Sequence, residues 1–156
     1  MVQKISELKY PSGFSRMLYR TPIWLYKVNL GWVLGKRFLK LTHVGRISGK
    51  SREAVLEVVS HDSTLNAYYI ASAWGEKSDW VKNIQANPDV IIQVGREKSK
   101  RTATQLPAEE GEGVILDYAK RHPTVMLNLA RFMGYQLDGT EKDFRQLGRL
   151  LLMFSL

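Results

Sequence analysis

At 156 residues, with 44% hydrophobic and 24% charged residues, the chain has the size and composition to bury one core. The absence of cysteine excludes disulfides, thiolate nucleophiles and cysteine-ligated zinc, and the three histidines, His43, His61 and His122, have no spacing that would put two on one helix face for a metal. The formal charge of +8 is uneven: residues 1–52 carry +10 and residues 53–156 carry −2. This points to an anionic partner on one side, with a solvated basic face as the plain alternative.

The first ten residues, MVQKISELKY, lack the apolar core of a secretory signal. No window reaches the roughly 18–20 apolar residues of a membrane-spanning helix. A cytoplasmic protein is expected. No GxSxG elbow supports a serine hydrolase.

Residues 1–35 read as a basic, aromatic, helical N-terminal segment of a single domain spanning 1–156. Within it, 14–31 is an interrupted helix, with Thr21 as N-cap, Pro22 in the first turn and Gly31 as a stop. Its Arg16, Arg20 and Lys27 alternate with Phe14, Tyr19, Trp24 and Tyr26. That mixture suits a helix packed on the domain with snorkelling cations, which is favoured, or a peripheral membrane contact through residues 14–40.

Short runs rich in Val, Ile, Leu, Tyr and Thr follow: 37–44, 54–60, 67–73 and 90–94, with 99–106 as a further strand. The first two flank the glycine-rich turn Gly45-Arg46-Ile47-Ser48-Gly49-Lys50, and the next two flank His61-Asp62-Ser63, so two antiparallel hairpins are expected. Ser78 is placed to cap a short helix, Asp79–Ala86, that ends at Asn87-Pro88. A longer helix should run from Pro107 to Arg121, with Glu109 and Glu110 in its first turn and Lys120 and Arg121 in its last. Another should run from Pro123 to Gly134, and the apolar run 150–156 reads as a last strand. Strands grouped together with helices at their flanks make an α+β fold, a barrel of mostly antiparallel strands; no GxGxxG supports a Rossmann site.

Two segments carry chemistry. In Gly45–Arg52, glycines allow a tight backbone turn, Ser48 and Ser51 supply short donors, and Arg46, Lys50 and Arg52 supply cations suited to phosphate or carboxylate oxygens. A basic hairpin tip also serves solubility alone. In 71–88, a strand ends in Ser72 and Ala73, and Trp74 and Gly75 lead toward a helix carrying Trp80 and Asn83. Small residues leave room for a flat ring, and Trp74 can stack on it. Trp80 fits a core anchor better than a stacking partner.

Together these segments resemble the deazaflavin-dependent nitroreductase family. The family's GRxSGxxR hairpin reads here as Gly45-Arg46-Ile47-Ser48-Gly49-Lys50-Ser51-Arg52, and its AS…G…WxxNxxANPxV stretch as Ala71-Ser72…Gly75…Trp80…Asn83…Ala86-Asn87-Pro88-Asp89-Val90. The likeness covers about residues 22–122. It implies an FMN-binding split-barrel-like fold. It implies coenzyme F420, a deazaflavin whose phosphate and polyglutamate tail lie in a basic groove, with FMN as second choice. The activity implied is hydride transfer from the reduced coenzyme to a small electron-poor acceptor, a quinone or nitro compound. The implied cofactor-binding set is Arg46, Ser48, Lys50, Arg52, Val55, Leu56, Ser72, Ala73, Trp74, Gly75, Trp80 and Asn83, and Arg52 matches a family phosphate contact. Ile47 and Ala73 stand where family members often carry lysine, and Val55-Leu56-Glu57 where Pro-Leu-Tyr is frequent. Related barrels often form homodimers. No residue declares itself a general acid; Ser72 or an N-terminal tyrosine is the candidate for orienting the acceptor. A non-catalytic carrier of a flavin, haem or lipid is the alternative. Nucleic-acid binding is not expected, since no reading module is present.

Overall fold

The computed structural model describes residues 1–7, 28, 33 and 35–156, and the expected helix over 14–31, with most of the 14–40 stretch, lies outside them. Among the described residues, strands β1 (Gln3–Lys4), β2 (Phe38–Val44), β3 (Ser51–Glu57), β4 (Ser60–Asp62) and β5 (Ala67–Ser72) precede helix α1 (Asp79–Ala86). Strands β6 (Asp89–Val94), β7 (Glu97–Thr102) and β8 (Thr104–Gln105) follow, then helices α2 (Ala108–Arg121) and α3 (Pro123–Phe132). Strand β9 (Tyr135–Gln136), helix α4 (Glu141–Leu150) and strand β10 (Leu152–Ser155) complete them. The fold is α+β. One four-stranded sheet has the order β3-β2-β6-β7, a second β4-β5-β10-β8, and β1 pairs with β9. Every pairing is antiparallel.

The β2–β3 hairpin forms as expected, with Val44 opposite Ser51 and His43 opposite Arg52. Its period of two puts Leu39, Leu41 and His43 inside and Lys40 on the other face, where Lys40 Nζ meets Glu53 Oε1 at 2.8 Å. Leu39, Leu41, Ile70, Val81, Ile84, Ile92 and Phe154 form the core shared by both sheets and α1. Met153, next to Phe154 and pointing the opposite way, joins a second core with Ile115, Met126, Phe144 and Leu147 from α2, α3 and α4. Strand β10 is thus covered on both faces, and the terminal run forms the strand expected of it over Leu152–Ser155, with Leu150 still in α4.

Three expectations are corrected. The run 54–60 is not one strand: β3 ends at Glu57, Val58 N donates to Arg37 O and Val59 N to Tyr69 O, and the chain passes from one sheet to the other there. The following turn comes later than expected. His61 and Asp62 belong to β4, and the reversal lies over 63–66, where Asp62 Oδ1 accepts from Thr64 N and Leu65 N and Asn66 takes φ +50°. The run 99–106 likewise divides: Ala103 N bonds to Pro88 O, and Thr104–Gln105 leave β6 to pair with β10. Corners of this kind look like continuous β sequence because both sides are half-buried strand.

Candidate cofactor site

The hairpin tip is tightly folded. Gly45 N donates to Lys50 O and Gly49 N to Gly45 O, both at 2.8 Å, while Lys50 N donates to Ser48 Oγ at 3.2 Å. A Cβ on Gly45 would lie 2.7 Å from Ser48 Oγ and 3.3 Å from Lys50 O, so a side chain there would pry the tip open. Ile47 is almost wholly exposed at the apex.

The tip is pinned to α1. Asn83, buried on that helix, accepts from Arg46 N at 3.0 Å and from Arg46 Nη1 at 2.9 Å through the same oxygen. One turn earlier, Asp79 Oδ1 receives Arg46 Nη1 and Nη2 at 3.3 Å. The other end of the Asn83 amide, Nδ2, lies 3.1 Å from His43 Nδ1. Arg46 therefore faces the helix. Lys50 and Arg52 are exposed and make no ion pair among the described residues.

His43 is 4% exposed, and its pKa is lowered to about 4, first by burial and then by Arg52, with Asp79 opposing. A histidine in the unfolded chain titrates near 6.5, so between these values the unfolded state binds more protons, and stability falls as pH drops from about 6.5 to about 4. The whole shift is equivalent to roughly 3 kcal/mol, which solvent screening at the hairpin edge reduces to about 2 kcal/mol. Urea unfolding at about pH 7, 5.5 and 4.5 should show this slope, and His43→Gln, which cannot titrate, should lack it.

The strand-to-helix loop builds a cleft of about 480 Å³. Ser72, Ala73, Trp74 and Gly75 form one side, and Met133, Tyr135 and Leu150–Leu152 form the other. Lys4, Lys77 and Arg149 stand among its lining residues, each ion-paired to a glutamate. Gly75 takes φ +54°, a conformation that favours glycine, and a Cβ there would project into open space. Trp74 meets Phe132 edge-on at 6.5 Å. Ser72 is buried, and its hydroxyl donates to Gly75 O at 2.9 Å; Ser78 Oγ, 2.9 Å away, must then donate to it. Ser78 occupies the N-cap position of α1, but its side chain turns to Ser72 and makes no cap bond. Ser72 has no second hydrogen for a ligand.

The implied binding residues thus divide by place. Ser72, Ala73, Trp74 and Gly75 line the cleft. Arg46 and Asn83 join the hairpin to α1. Ser48, Lys50 and Arg52 are at the exposed tip and its base. Val55 sits opposite Lys40 on β3, and Leu56 packs against the inter-sheet core. Trp80 packs edge-on against Phe154 at 5.7 Å and belongs to the core. Glu57, at the far end of the hairpin, lines a second cleft of about 400 Å³, where it accepts from Tyr118 Oη at 3.0 Å and pairs with Arg37 Nε at 3.5 Å. Burial, and after it Glu57, pushes the Tyr118 phenol up to about 12. Tyr135, Met133 and Arg149 were not singled out in the sequence; only the chain's return from α3 and α4 brings them to the loop.

A family model described as F420H(2)-dependent quinone reductase matches residues 18–140. The chain belongs to the F420H(2)-dependent quinone reductase family. A search among curated proteins finds no match. Among solved structures, an F420-H2 dependent reductase (FDR-A) is 24% identical, covering 78% of this chain and 94% of its own, with a TM-score of 0.54. A structure described as a domain-swapped dimer is 22% identical, covering 86% of this chain and 98% of its own, at TM-score 0.53. The haem storage protein HutZ of Vibrio cholerae is 13% identical, covering 85% of each chain, at TM-score 0.52. At these identities the likeness is one of fold, and the family member has the split-barrel architecture the hairpin and loop motifs implied. Among the described residues no helix is long and apolar enough to cross a membrane, and no group of three or more His, Asp or Glu side chains could hold a metal ion.

Proposed function

We propose that the protein takes hydride from reduced coenzyme F420 and delivers it to a small electron-poor acceptor, a quinone or a nitro compound. Membership of a deazaflavin-dependent oxidoreductase family supports the cofactor. The observation that carries the reading is a cleft walled by Ala73 and Gly75 whose loop leads into the helix that grips a hairpin with two exposed cations, Lys50 and Arg52, that make no ion pair among the described residues. When bound, the deazaflavin supplies the hydride chemistry. The chain's own residues bind, orient and exclude water. Arg52 holds the coenzyme's anionic portion by charge-assisted hydrogen bonds, and Lys50 adds a solvent-screened point charge beside it. Ala73 and Gly75 admit a flat ring close to the backbone, and Trp74, Met133 and Leu150–Leu152 give it apolar surface to rest on. Tyr135 presents a phenol to an acceptor oxygen, a role Ser72 cannot take because its hydrogen is engaged. We read residues 1–156 as one cytoplasmic domain, with a homodimer and a peripheral membrane contact through 14–40 as the two associations to test. Sedimentation equilibrium and co-sedimentation with anionic vesicles check these two points.

The deciding experiment is a fluorescence titration of the purified protein with F420 and, separately, with FMN, followed by anaerobic mixing of the reduced-F420 complex with a benzoquinone and a nitroaromatic. Saturable F420 binding and oxidation of the reduced coenzyme by either acceptor are expected. Absence of F420 binding overturns the proposal. Binding with no turnover of either acceptor turns it toward a carrier.

A further inference from the structure

The hairpin's three cations are not equivalent, and the difference originates in a buried amide. Asn83 Oδ1 receives two Arg46 donors, the backbone N–H and Nη1. With the oxygen so fixed, Nδ2 must face His43 Nδ1, and an N–H can meet that atom only if it is bare. The imidazole must then be neutral, with its hydrogen on Nε2. Arg52 stands opposite His43 in the strand register and Asp79 lies beside the Arg46 guanidinium, so one cation and one carboxylate face this buried group.

We propose that His43 and Asn83 are positioning residues for the hairpin, with the bare His43 Nδ1 orienting the Asn83 amide, the amide holding the Arg46 backbone and guanidinium, and Lys50 and Arg52 left turned outward to bind an anion. The proposal rests on the cofactor reading for the identity of that anion. The clamp itself does not. Asparagine suits this place because one end must accept and the other donate. An aspartate would set a second oxygen against Nδ1, and a leucine would satisfy neither neighbour.

The test uses a rank order that packing alone would reverse. His43 is buried beside the core, so if it served only to fill space, His43→Leu should be tolerated at least as well as His43→Gln. A clamp requires the opposite, because the glutamine oxygen accepts from Asn83 Nδ2 and leucine does not. His43→Gln should keep F420 affinity within about threefold of the unmutated protein, while His43→Leu and Asn83→Ala should lose roughly tenfold. With no cofactor present, trypsin should cut after Lys50 and Arg52 faster in the leucine and alanine variants than in the glutamine variant. This arm reads the clamp even if F420 does not bind the unmutated protein, a result that would sink only the cofactor reading. Long-range ¹H–¹⁵N NMR of the unmutated protein at neutral pH needs no variant and should show His43 neutral and protonated on Nε2. A His43 protonated on Nδ1, or equal tryptic resistance in the leucine and glutamine variants, overturns the proposal.

Discussion

Arg52→Ala is expected to weaken F420 binding roughly ten- to a hundredfold, because a charge-assisted hydrogen bond to a phosphate or carboxylate is worth about 1.5–3 kcal/mol. Arg52 lies at the base of the tip, exposed, opposite His43 and without an ion partner among the described residues. Its planar fork can hold two oxygens, whereas Lys50, at the mobile end of four methylenes, offers a point charge. Lys50→Ala should therefore cost about 1 kcal/mol or less. Arg46→Ala should act differently: its guanidinium contacts Asn83 and Asp79, so its loss loosens the hairpin instead of removing a direct ligand contact. Calorimetric titration of the three variants at fixed salt, with circular dichroism to verify folding, separates these outcomes. Equal small losses at all three positions would mean a diffuse basic surface.

Gly148→Val is expected to destabilise the protein by about 3 kcal/mol, toward the upper end of what overpacking costs. Helices α2 and α4 cross with backbones nearly in contact. A Cβ on Gly148 would lie 2.6 Å from Gly111 O and 2.7 Å from Glu112 Cα, and one on Gly111 would lie 2.8 Å from Gly148 O. These are backbone atoms, so relief requires moving a helix. The movement would also disturb Arg149, which bonds Glu112 Oε2 at 3.0 Å, and Arg145, which bonds Glu112 Oε1 at 2.9 Å. Gly113 gives the control. Its Cβ would meet nothing within 4 Å, so Gly113→Ala should gain up to about 1 kcal/mol of helix propensity. Urea unfolding midpoints of the two variants should move in opposite directions. A Gly148→Val midpoint equal to that of the unmutated protein would contradict the close crossing.

Much of the fold was legible where local chemistry is strong. Asn87-Pro88 ends α1, the acidic start and basic end of 108–121 mark α2, and the glycine turn between two β-rich runs marks the β2–β3 hairpin. The paired motifs around Gly45–Arg52 and Ala71–Val90 were enough to indicate the family. Two boundaries were illegible, at Val58-Val59 and at Ala103, because a strand that changes sheets keeps its β composition while its hydrogen-bond partners change.

The sequence by itself determined the α+β class, the absence of thiol chemistry, the basic first third and the two motif segments, since each depends on residue type and short spacing. Only the tertiary structure decided what each motif residue touches, because that depends on which groups from distant segments come within hydrogen-bonding reach. Arg46 meets Asn83, 37 residues away, a contact that no short spacing in the sequence shows. Ser72 looked free until Gly75 O and Ser78 took its hydroxyl. Tyr135 and Arg149 could reach the cleft only once α3 and α4 had folded back over β10.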